Sequence, residues 1–310
     1  MKNPLLSICI PAYKREKAVI RTLKSIYSDR NLQNISLNDF EVIVSDNDPD
    51  MSLSLLRDEF KYKNFYYYST HCIGFMNSYY VLNYAKGDFL KLHNSQELWQ
   101  DGSLLHVLNI IRVNRSQKKM CFFTNSLLKQ RKLMFFNDFD SFMNCLSYFS
   151  SWSNGFSIWR EDYINVKDKV SLNELFPHTS ILLTQFFKSE YIVDDTLLFR
   201  TQFIHKRGGH NKFHAFAYEY PSLIQKSYLD NHISIRTKKN ILDQVLYEYL
   251  PLLYFNVKIL RIETYESAGF KRDLEVFFPI ESYKKILLLS LVVPFKILWR
   301  KILLSFLRCI

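Results

Sequence analysis

The sequence predicts an α/β protein in which a mostly parallel sheet is flanked by helices. Short apolar runs alternate with segments of helical periodicity from residue 5 to residue 124, an order typical of parallel sheets with both faces covered. Hydrophobic residues make up 48% of the 310 residues and charged residues 23%, so the chain can bury a sizeable core. Polar residues directly follow the first two apolar runs, which is where open α/β sheets bind ligands.

The spacing of apolar residues predicts each element of this region. Val19, Ile20, Leu23 and Ile26 recur at helical intervals, whereas runs rich in β-branched and aromatic residues predict strands. The predicted strands are residues 5–11, 40–45, 65–69, 88–92 and 120–124. The predicted helices between them are residues 16–27, 53–60, 74–85 and 102–113.

The pattern changes after residue 145. Residues 150–156 are polar and aromatic and include a glycine, which is typical of a loop that lines a site. A helix is predicted over 181–187, after Pro177, and short strands over 191–193 and 196–200. From residue 221 onward the sequence is helical and basic. We therefore predict two domains, residues 1–215 and residues 216–310, of which the second is a helical, basic appendage.

The net charge of +11 favours an anionic partner. Because the cations become denser toward the carboxyl end, an anionic membrane surface is favoured over a nucleic acid, and we predict no nucleic-acid partner. The five cysteines show no metal-ligand spacing, so we expect reduced thiols in a cytosolic protein. No apolar segment reaches the roughly 18–20 residues that a spanning helix needs.

The carboxyl-terminal tail predicts a helix that lies in the membrane interface. Lys284 and Lys285 precede the apolar residues 286–295, which Pro294 interrupts, and further cations and Trp299 follow. Cations and a tryptophan beside apolar side chains are typical of interfacial helices. A buried helix packed on the rest of the protein is the alternative.

The ends of the first two predicted strands predict a nucleotide site. The first strand runs into Pro11, Ala12, Tyr13, Lys14 and Arg15, and the second into Asp46 and Asn47. Parallel strands bring their carboxyl ends to one edge of the sheet. An aromatic ring, cations and a carboxylate at that edge suit base stacking, phosphate charge and a hydrogen bond to the base.

Four segments, in order, match the motifs of one enzyme family. The segment Ser7–Arg15 is similar to an opening strand with a Pro-Thr-Tyr-Asn-Arg turn, and the segment Glu41–Asp50 is similar to a Val-Asp-Asp-Gly-Ser motif. The segment Ala85–Leu90 is similar to Ala-x-Gly-Glu-Tyr-Ile, and the segment Leu98–Leu104 is similar to Leu-Trp-x-Pro-Gly-Ser-Leu. With these segments the chain resembles the family 2 glycosyltransferases, which have the A-type (GT-A) nucleotide-diphospho-sugar transferase fold. The resemblance covers about residues 4–210. Within the family, Phe176-Pro177-His178 is similar to the abequosyltransferase-like O-antigen enzymes.

The resemblance implies roles for the strand ends. Pro11, Ala12 and Tyr13 would border the base and ribose of a nucleotide-sugar donor, with Arg15 near the diphosphate. Asp46, followed by Asn47, would accept a hydrogen bond from the base or ribose. The alternatives are an ordinary loop aromatic for Tyr13 and a helix cap for Asp46.

The chain departs from the family at the metal motif. The family has Asp-x-Asp-Asp where this chain has Asn94-Ser95-Gln96-Glu97. Mg²⁺ and Mn²⁺ favour oxygen ligands that include a carboxylate, and Glu97 is the one carboxylate beside Asn94 and Gln96. Three interpretations stay open. A divalent metal binds weakly through Glu97, cations such as Arg15, Lys206 or Arg207 replace it, or the domain does not catalyse.

The catalytic base also departs from the family. Inverting members place a carboxylate at the start of a helix in the acceptor half, and the equivalent position, counted back from residues 191–195, falls on Pro177-His178. Histidine is a competent general base, so His178 is the first candidate and Glu174 the second. A role for His178 in capping the helix is the alternative.

These observations together predict a glycosyltransferase, a hexosyl- or deoxyhexosyltransferase that inverts the anomeric centre. It would move a sugar from a nucleotide-sugar to a polyprenyl-diphosphate-linked glycan in O-antigen or capsule synthesis, at the cytoplasmic face of the cell membrane. The alternative is a non-catalytic protein that binds a sugar nucleotide or a glycan. Product formation with any donor would separate the two.

Overall fold

The computed structural model describes residues 3–203 and 207–306, and the side chains of residues 3–203 and 208–295. The contacts within the chain divide it into two compact units, Met1–Gln202 and Phe203–Ile310. The sequence placed the boundary between the predicted domains a little later, after residue 215. The two are called the first unit and the second unit below.

The first unit alternates strands and helices. Its strands, in chain order, are β1 (Leu6–Ala12), β2 (Phe40–Asp46), β3 (Phe65–Ser69), β4 (Phe89–Leu92), β5 (Glu97–Trp99), β6 (Met120–Phe123), β7 (Leu133–Phe136), β8 (Ser157–Trp159), β9 (Tyr191–Asp194) and β10 (Phe199–Thr201). Its helices are α1 (Glu16–Ile26), α2 (Asp29–Leu32), α3 (Leu56–Glu59), α4 (Asn77–Tyr84), α5 (Ser103–Asn114), α6 (Phe139–Leu146), α7 (Arg160–Val166) and α8 (Pro177–Leu183). Short 3₁₀ turns cover Gly74–Met76, Ser147–Ser151, Ser153–Gly155 and Thr184–Phe187.

The central sheet confirms the predicted fold class. Its strand order is β3-β2-β1-β4-β8, with the first four strands parallel and β8 antiparallel at the edge. Apart from Pro11, the apolar side chains of β1 and β2 are buried on both faces, which explains the nearly continuous apolar runs in both strands. In the parallel register Ala12 lies opposite Asp46, so the two strand ends meet at one edge of the sheet.

Smaller sheets support this core. Strands β6, β9 and β7 form a three-stranded sheet, and β5 pairs with β10 in an antiparallel ribbon. The sequence analysis did not predict β5, β7, β8, α6 or α7. The three missed strands are only three or four residues long, and β7 is largely half-buried, so none of them carries a strong periodic signal.

Two predicted helices differ from the structure. The helix predicted over 53–60 shortens to α3. Residues 52–55 form turns, in which the Leu56 N–H donates to the Leu53 carbonyl, and the Leu53 N–H donates to the Asp46 carboxylate. The helix predicted over 181–187 begins earlier, at Pro177. Proline suits the first helical position, and the Asn173 side chain accepts from the Leu175 and Phe176 N–H groups just before it.

The second unit is mainly helical. Its elements are β11 (Arg207–Gly208), α9 (Lys212–His214), α10 (Tyr220–Leu229), α11 (Ile235–Gln244), α12 (Leu250–Tyr254), β12 (Glu263–Thr264), α13 (Phe270–Phe277) and α14 (Ser282–Phe306), with π-helical stretches at Ala215–Glu219, Val245–Tyr249 and Phe255–Ile259. Strands β11 and β12 pair in parallel. Among the described residues, no helix combines the length and the apolar content that a membrane crossing requires.

Candidate functional site

The end of β1 presents an aromatic ring and two cations to solvent. The Tyr13 side chain is 54% exposed, and Lys14 and Arg15 are exposed beside it. Lys14 and Arg15 have φ of 54° and 60°, a left-handed conformation that is uncommon for residues other than glycine. This turn places the Lys14 Nζ 5.3 Å from the centre of the Tyr13 ring and 3.9 Å from Asp48 Oδ1. The arrangement suits a planar base and a negatively charged diphosphate.

Asp46 is buried behind this turn and anchors the loop that follows β2. Its Oδ1 accepts from the Asp48 N–H at 3.0 Å, and its Oδ2 accepts from the Leu53 N–H at 3.2 Å and from the Tyr67 hydroxyl at 2.8 Å. Burial, with the hydrogen bond to Asp46, raises the pKa of Tyr67, which keeps this donor protonated. Asp46 therefore shapes the loop, and a direct contact with a nucleotide remains a prediction.

Asn77, at the start of α4, joins the two strand ends, and the sequence analysis did not identify it. Its Nδ2 lies 2.8 Å from the Ser45 carbonyl, 3.3 Å from the Ala12 carbonyl and 3.1 Å from Asn47 Oδ1. The Ser45 hydroxyl donates to its Oδ1 at 2.6 Å. The sequence itself shows only an asparagine in the first turn of a predicted helix. Ala12 and Asn47 are thus held in place by the same side chain, while Pro11 is half-buried at the strand end.

The segment Asn94–Glu97, which replaces the family's metal motif, directs its polar groups toward the rest of the chain. The Asn94 N–H donates to Asn154 Oδ1 at 2.8 Å, and Asn94 Oδ1 accepts from the Ser153 hydroxyl at 2.9 Å. Glu97 is buried, and the Thr201 hydroxyl lies 2.9 and 3.0 Å from its two carboxylate oxygens. The Gln96 carbonyl accepts from the Gln202 N–H at 3.0 Å.

These residues do not fit the ligand set of a divalent metal ion. Glu97 supplies one carboxylate, which Thr201 already engages, and the Asn94 amide oxygen is engaged by Ser153. In the described part of the chain, no group of three or more His, Cys, Asp or Glu side chains is placed to hold a metal. Lys206 lies outside the described residues, as does the Arg207 side chain.

Two buried basic residues support the Asn94–Glu97 segment from within. Lys91 is fully buried, and its Nζ donates to the Asn154 carbonyl at 2.7 Å and to the Leu92 carbonyl at 3.1 Å. Burial lowers the pKa of Lys91 to about 7. His93 donates from Nε2 to the Glu97 carbonyl at 2.8 Å, and burial lowers its pKa to about 3, so it is neutral. A lysine inside an apolar strand was the sequence signal for this support.

His178 lies in the first turn of α8, where the position count placed it. It is buried, and its Nε2 donates to the Ser151 carbonyl at 2.9 Å. Because a carbonyl only accepts, Nε2 carries the proton and Nδ1 is the nitrogen that can accept one. Burial lowers the pKa of His178 to about 4, so the imidazole is neutral at neutral pH and Nδ1 carries no proton. Glu174, the second candidate, is exposed just before the helix.

Residues 151–154, called the bridge segment here, connect His178 to the Asn94–Glu97 segment. At one end the Ser151 carbonyl accepts from His178, and at the other Ser153 and Asn154 bind Asn94. The Asn154 carbonyl also accepts from Lys91. The structure therefore places the candidate base and the altered metal motif on one connected framework.

A comparison with protein families identifies the family to which the chain belongs. The model of the family described as "Glycosyl transferase family 2" matches residues 7–171, more than half of the chain. The chain belongs to glycosyltransferase family 2. The match includes the ends of β1 and β2, the Asn94–Glu97 segment and the bridge segment, and it ends before α8. The predicted family is confirmed, and the protein is a glycosyltransferase by this membership.

Solved structures share the fold of this glycosyltransferase at low sequence identity. Staphylococcus aureus TarS 1-349 in complex with UDP is 15% identical, with a TM-score of 0.57 over 91% of this chain and 83% of that one. The mannosyltransferase PcManGT from Pyrobaculum calidifontis, in complex with GDP-Man and Mn²⁺, is 15% identical, with a TM-score of 0.54 over 97% of this chain and 89% of that one. A search of curated protein sequences finds no match.

Proposed function

We propose that this glycosyltransferase transfers a hexosyl or deoxyhexosyl group from a nucleotide-sugar to a glycan carried on a polyprenyl diphosphate. The observation that carries the donor half of this proposal is the joined end of β1 and β2. There Tyr13 and two cations are exposed above a buried Asp46. Structural neighbours were solved with UDP, with UDP-GlcNAc and with GDP-Man, which supports a nucleotide-sugar as the donor class.

In the proposed donor complex, Tyr13 stacks against the base, while Pro11 and Ala12 border the ribose. Arg15 and its neighbour Lys14 lie against the diphosphate. Asp46 and Asn47 act mainly by holding the loop in which these groups sit, since both already bind groups of the chain. Asp46 Oδ1 keeps a lone pair for one further hydrogen bond.

The leaving group is stabilised by cations in this proposal. As the sugar departs, negative charge accumulates on the nucleoside diphosphate. Charge-assisted hydrogen bonds from a guanidinium or ammonium group offset that charge. Arg15 and Lys14 are the described cations placed to do this. No step is assigned to a metal, because Asn94, Gln96 and Glu97 do not form its ligand set.

The base proposed for the acceptor is His178. Its Nδ1 takes the proton of the acceptor hydroxyl as the oxygen attacks the anomeric carbon. The bond from that carbon to the diphosphate oxygen breaks in the same step, and the nucleoside diphosphate leaves with the bonding electrons. A single displacement of this kind inverts the anomeric centre. Glu174 is the alternative base, because an exposed carboxylate at this position requires no burial of the acceptor.

The acceptor and the location of the enzyme are inferred from the second unit. Helix α14 carries Lys284 and Lys285 in its first turn and exposed apolar side chains beyond them, which is the composition of an interfacial helix. An enzyme held at the cytoplasmic face of the cell membrane meets a lipid-linked glycan there. We assign the product to O-antigen or capsule synthesis, as in abequosyltransferase-like enzymes, which the Phe176-Pro177-His178 segment resembles.

A donor screen tests this function. The purified chain is incubated with nucleotide-sugars of different bases and a lipid-linked glycan, and nucleoside diphosphate release and glycan mass are measured. We expect one donor class to give a glycan heavier by one sugar. Donor binding with no product from any donor and acceptor would favour the alternative, a binding protein without catalysis, which the missing carboxylates at residues 94 and 96 permit.

A further inference from the structure

The second unit contains an open pocket that the proposed chemistry of the first unit does not use. Its volume is about 570 Å³, which lies in the range of ligand pockets. Its walls come from the chain after α12, from the first turns of α13 and from the start of α14. The pocket therefore needs no residue from the first unit.

The charge of the pocket is positive. Lys258, Lys271 and Arg272 line it together with one carboxylate, Glu275. Lys271 lies 4.0 Å from Glu275, and the Lys271 side chain is 66% exposed, so this ion pair is a weak one. Arg272 lies 3.4 Å from Asp273, and its side chain is 83% exposed. Among the described residues, none is placed to form an ion pair with Lys258. A ligand of this pocket would be an anion.

The pocket also offers uncharged donors. Helix α13 begins after Gly269, whose φ of 74° ends the preceding loop, and the first helical hydrogen bond is made by the Asp273 N–H. The N–H groups of Lys271 and Arg272 precede that bond, so they have no acceptor within the helix, and the amino-terminal end of a helix favours an anion. The Ser267 side chain also lines the pocket, as does Tyr283, whose hydroxyl is hydrogen-bonded to Tyr254. Cations, backbone N–H groups and hydroxyls together form the donor set that phosphate oxygens accept.

The helix that supplies Tyr283 also carries an exposed apolar face. Leu288, Leu291 and Phe295 follow Lys284 at helical intervals, and their exposed fractions are 66%, 60% and 70%. These three residues are called the apolar stripe. On the opposite face of α14, Ile286 and Val293 are buried. A donor-rich pocket and an apolar stripe thus share one helix.

We propose that this pocket binds the diphosphate of the polyprenyl-linked acceptor while the apolar stripe contacts its hydrocarbon chain and the surrounding lipid. The inference rests on the proposed lipid-linked acceptor. A diphosphate is favoured over the single phosphate of a bulk phospholipid for two reasons. Three cations less the one carboxylate leave a formal charge of +2, which exceeds the single charge of a phosphodiester, and the pocket volume exceeds what one phosphate group fills. The pocket would hold the polyprenyl diphosphate at a fixed position, and the attached glycan would extend out of the pocket.

Vesicle binding by the full chain tests the pocket. Three vesicle types are compared: phosphatidylcholine alone, phosphatidylcholine with polyprenyl diphosphate, and phosphatidylcholine with phosphatidylglycerol at the same total charge. We expect the diphosphate vesicles to bind the most tightly. The K258Q/R272Q variant should lose roughly tenfold in affinity for them, because it removes two charge-assisted contacts. Inorganic pyrophosphate should compete with these vesicles for the unmodified chain.

The control variant is K226Q/K239Q, which removes the same charge from exposed positions in the same unit that do not line the pocket. We expect it to change binding less than about twofold. Equal losses of affinity in the two variants, or equal binding to diphosphate and phosphatidylglycerol vesicles, would contradict diphosphate binding by the pocket. The chain would then bind anionic membrane surfaces without specificity. A circular-dichroism spectrum shows that each variant is folded.

This assay separates the pocket from the proposed function, since it involves no sugar transfer. If the chain binds diphosphate vesicles through Lys258 and Arg272 but forms no product, the pocket stands and the transfer reaction fails. If the chain forms product while K258Q/R272Q binds vesicles like the unmodified chain, the pocket fails and the transfer reaction stands.

Discussion

The two polar segments of the first unit, at the end of β1 and after β4, differ in where their side chains point. At the end of β1, Tyr13 and Arg15 face solvent, and a different residue, Asp46, holds the loop from behind. In the Asn94–Glu97 segment, the Asn94 and Glu97 side chains at two of the family's metal positions are themselves bound by the rest of the chain.

This difference separates ligand contact from support. At the first segment the supporting residues are buried and the contacting residues are exposed, so each task has its own side chains. At the second segment the Asn94 and Glu97 side chains bind other parts of the chain, so few oxygen atoms remain as ligands for a metal ion. We therefore expect substitutions at the first segment to change donor binding, and metal removal at the second to change little.

The largest expected effect concerns His178, which the bridge segment connects to the second segment. In H178Q the amide can still donate to the Ser151 carbonyl, but it cannot take a proton. Because loss of a general base costs about 10²–10⁴ in rate, turnover should fall on that scale while donor affinity stays within a few-fold. Steady-state kinetics with donor calorimetry measures both.

The comparison variant is E174Q, which removes the exposed carboxylate nearby. If H178Q keeps more than about a third of the turnover, the contact with Ser151 is structural and His178 is not the base. A large loss in E174Q instead would transfer the role to Glu174. Partial recovery of rate in H178D over H178Q would support the assignment to His178.

The next effect tests the buried support at the first segment. D46A leaves the donors from Asp48, Leu53 and Tyr67 without their acceptor. Since bonds to a charged group contribute about 1.5–3 kcal/mol each, we expect a loss of several kcal/mol in the free energy of unfolding. Affinity for the nucleoside diphosphate should fall at least about tenfold, because the loop beside Tyr13 loses its anchor. D50A, at an exposed position of the same loop, is the control. Unchanged calorimetric affinity in folded D46A would contradict this role.

A smaller effect is expected from the exposed cation. R15Q should weaken binding of the nucleoside diphosphate about five- to tenfold, because it removes one charge-assisted contact to the diphosphate. Binding of the nucleoside alone should not change, since it has no phosphate. R21Q, an exposed arginine on α1, is the matched control. If R15Q lowered the affinity for the nucleoside and for the nucleoside diphosphate equally, Arg15 would not contact the diphosphate.

The smallest effect is expected from metal removal. Activity in EDTA should stay within about twofold of activity with added Mg²⁺ or Mn²⁺, because Glu97 is the single carboxylate of the segment and Thr201 engages it. Complete loss in EDTA, with recovery at micromolar Mn²⁺, would show that the segment rearranges to bind a metal and would remove the contrast between the two segments.

The central fold was largely predictable from the sequence. The first four strands of the main sheet were predicted to within one or two residues. In β1 and β2 burial on both faces leaves nearly continuous apolar runs, and β3 is rich in aromatic residues. Strand β5 was not predicted, since three residues that include Glu97 carry no periodic signal. The helix predicted over 53–60 was wrong at residues 53–55, which form turns before α3 begins, and the Leu53 N–H there binds the Asp46 carboxylate.

The candidate site was predictable only in part. Position at a strand end was enough to identify Tyr13, Arg15 and Asp46 as candidates. The support that Asn77 gives to Ala12, and that Thr201 gives to Glu97, depends on contacts across 65 and 104 residues of sequence. Nothing local in the sequence marks such pairs. The contact of His178 with Ser151 is of the same kind.

The left-handed turn at Lys14 and Arg15 implies a trade-off between stability and activity. Glycine adopts a positive φ without the steric clash that a Cβ causes, so glycine at either position would relax the backbone. The same change would delete a cation from the proposed diphosphate contact. A search for thermostable variants that places glycine at positive-φ positions would include these two, and the variants stabilised there would lose activity.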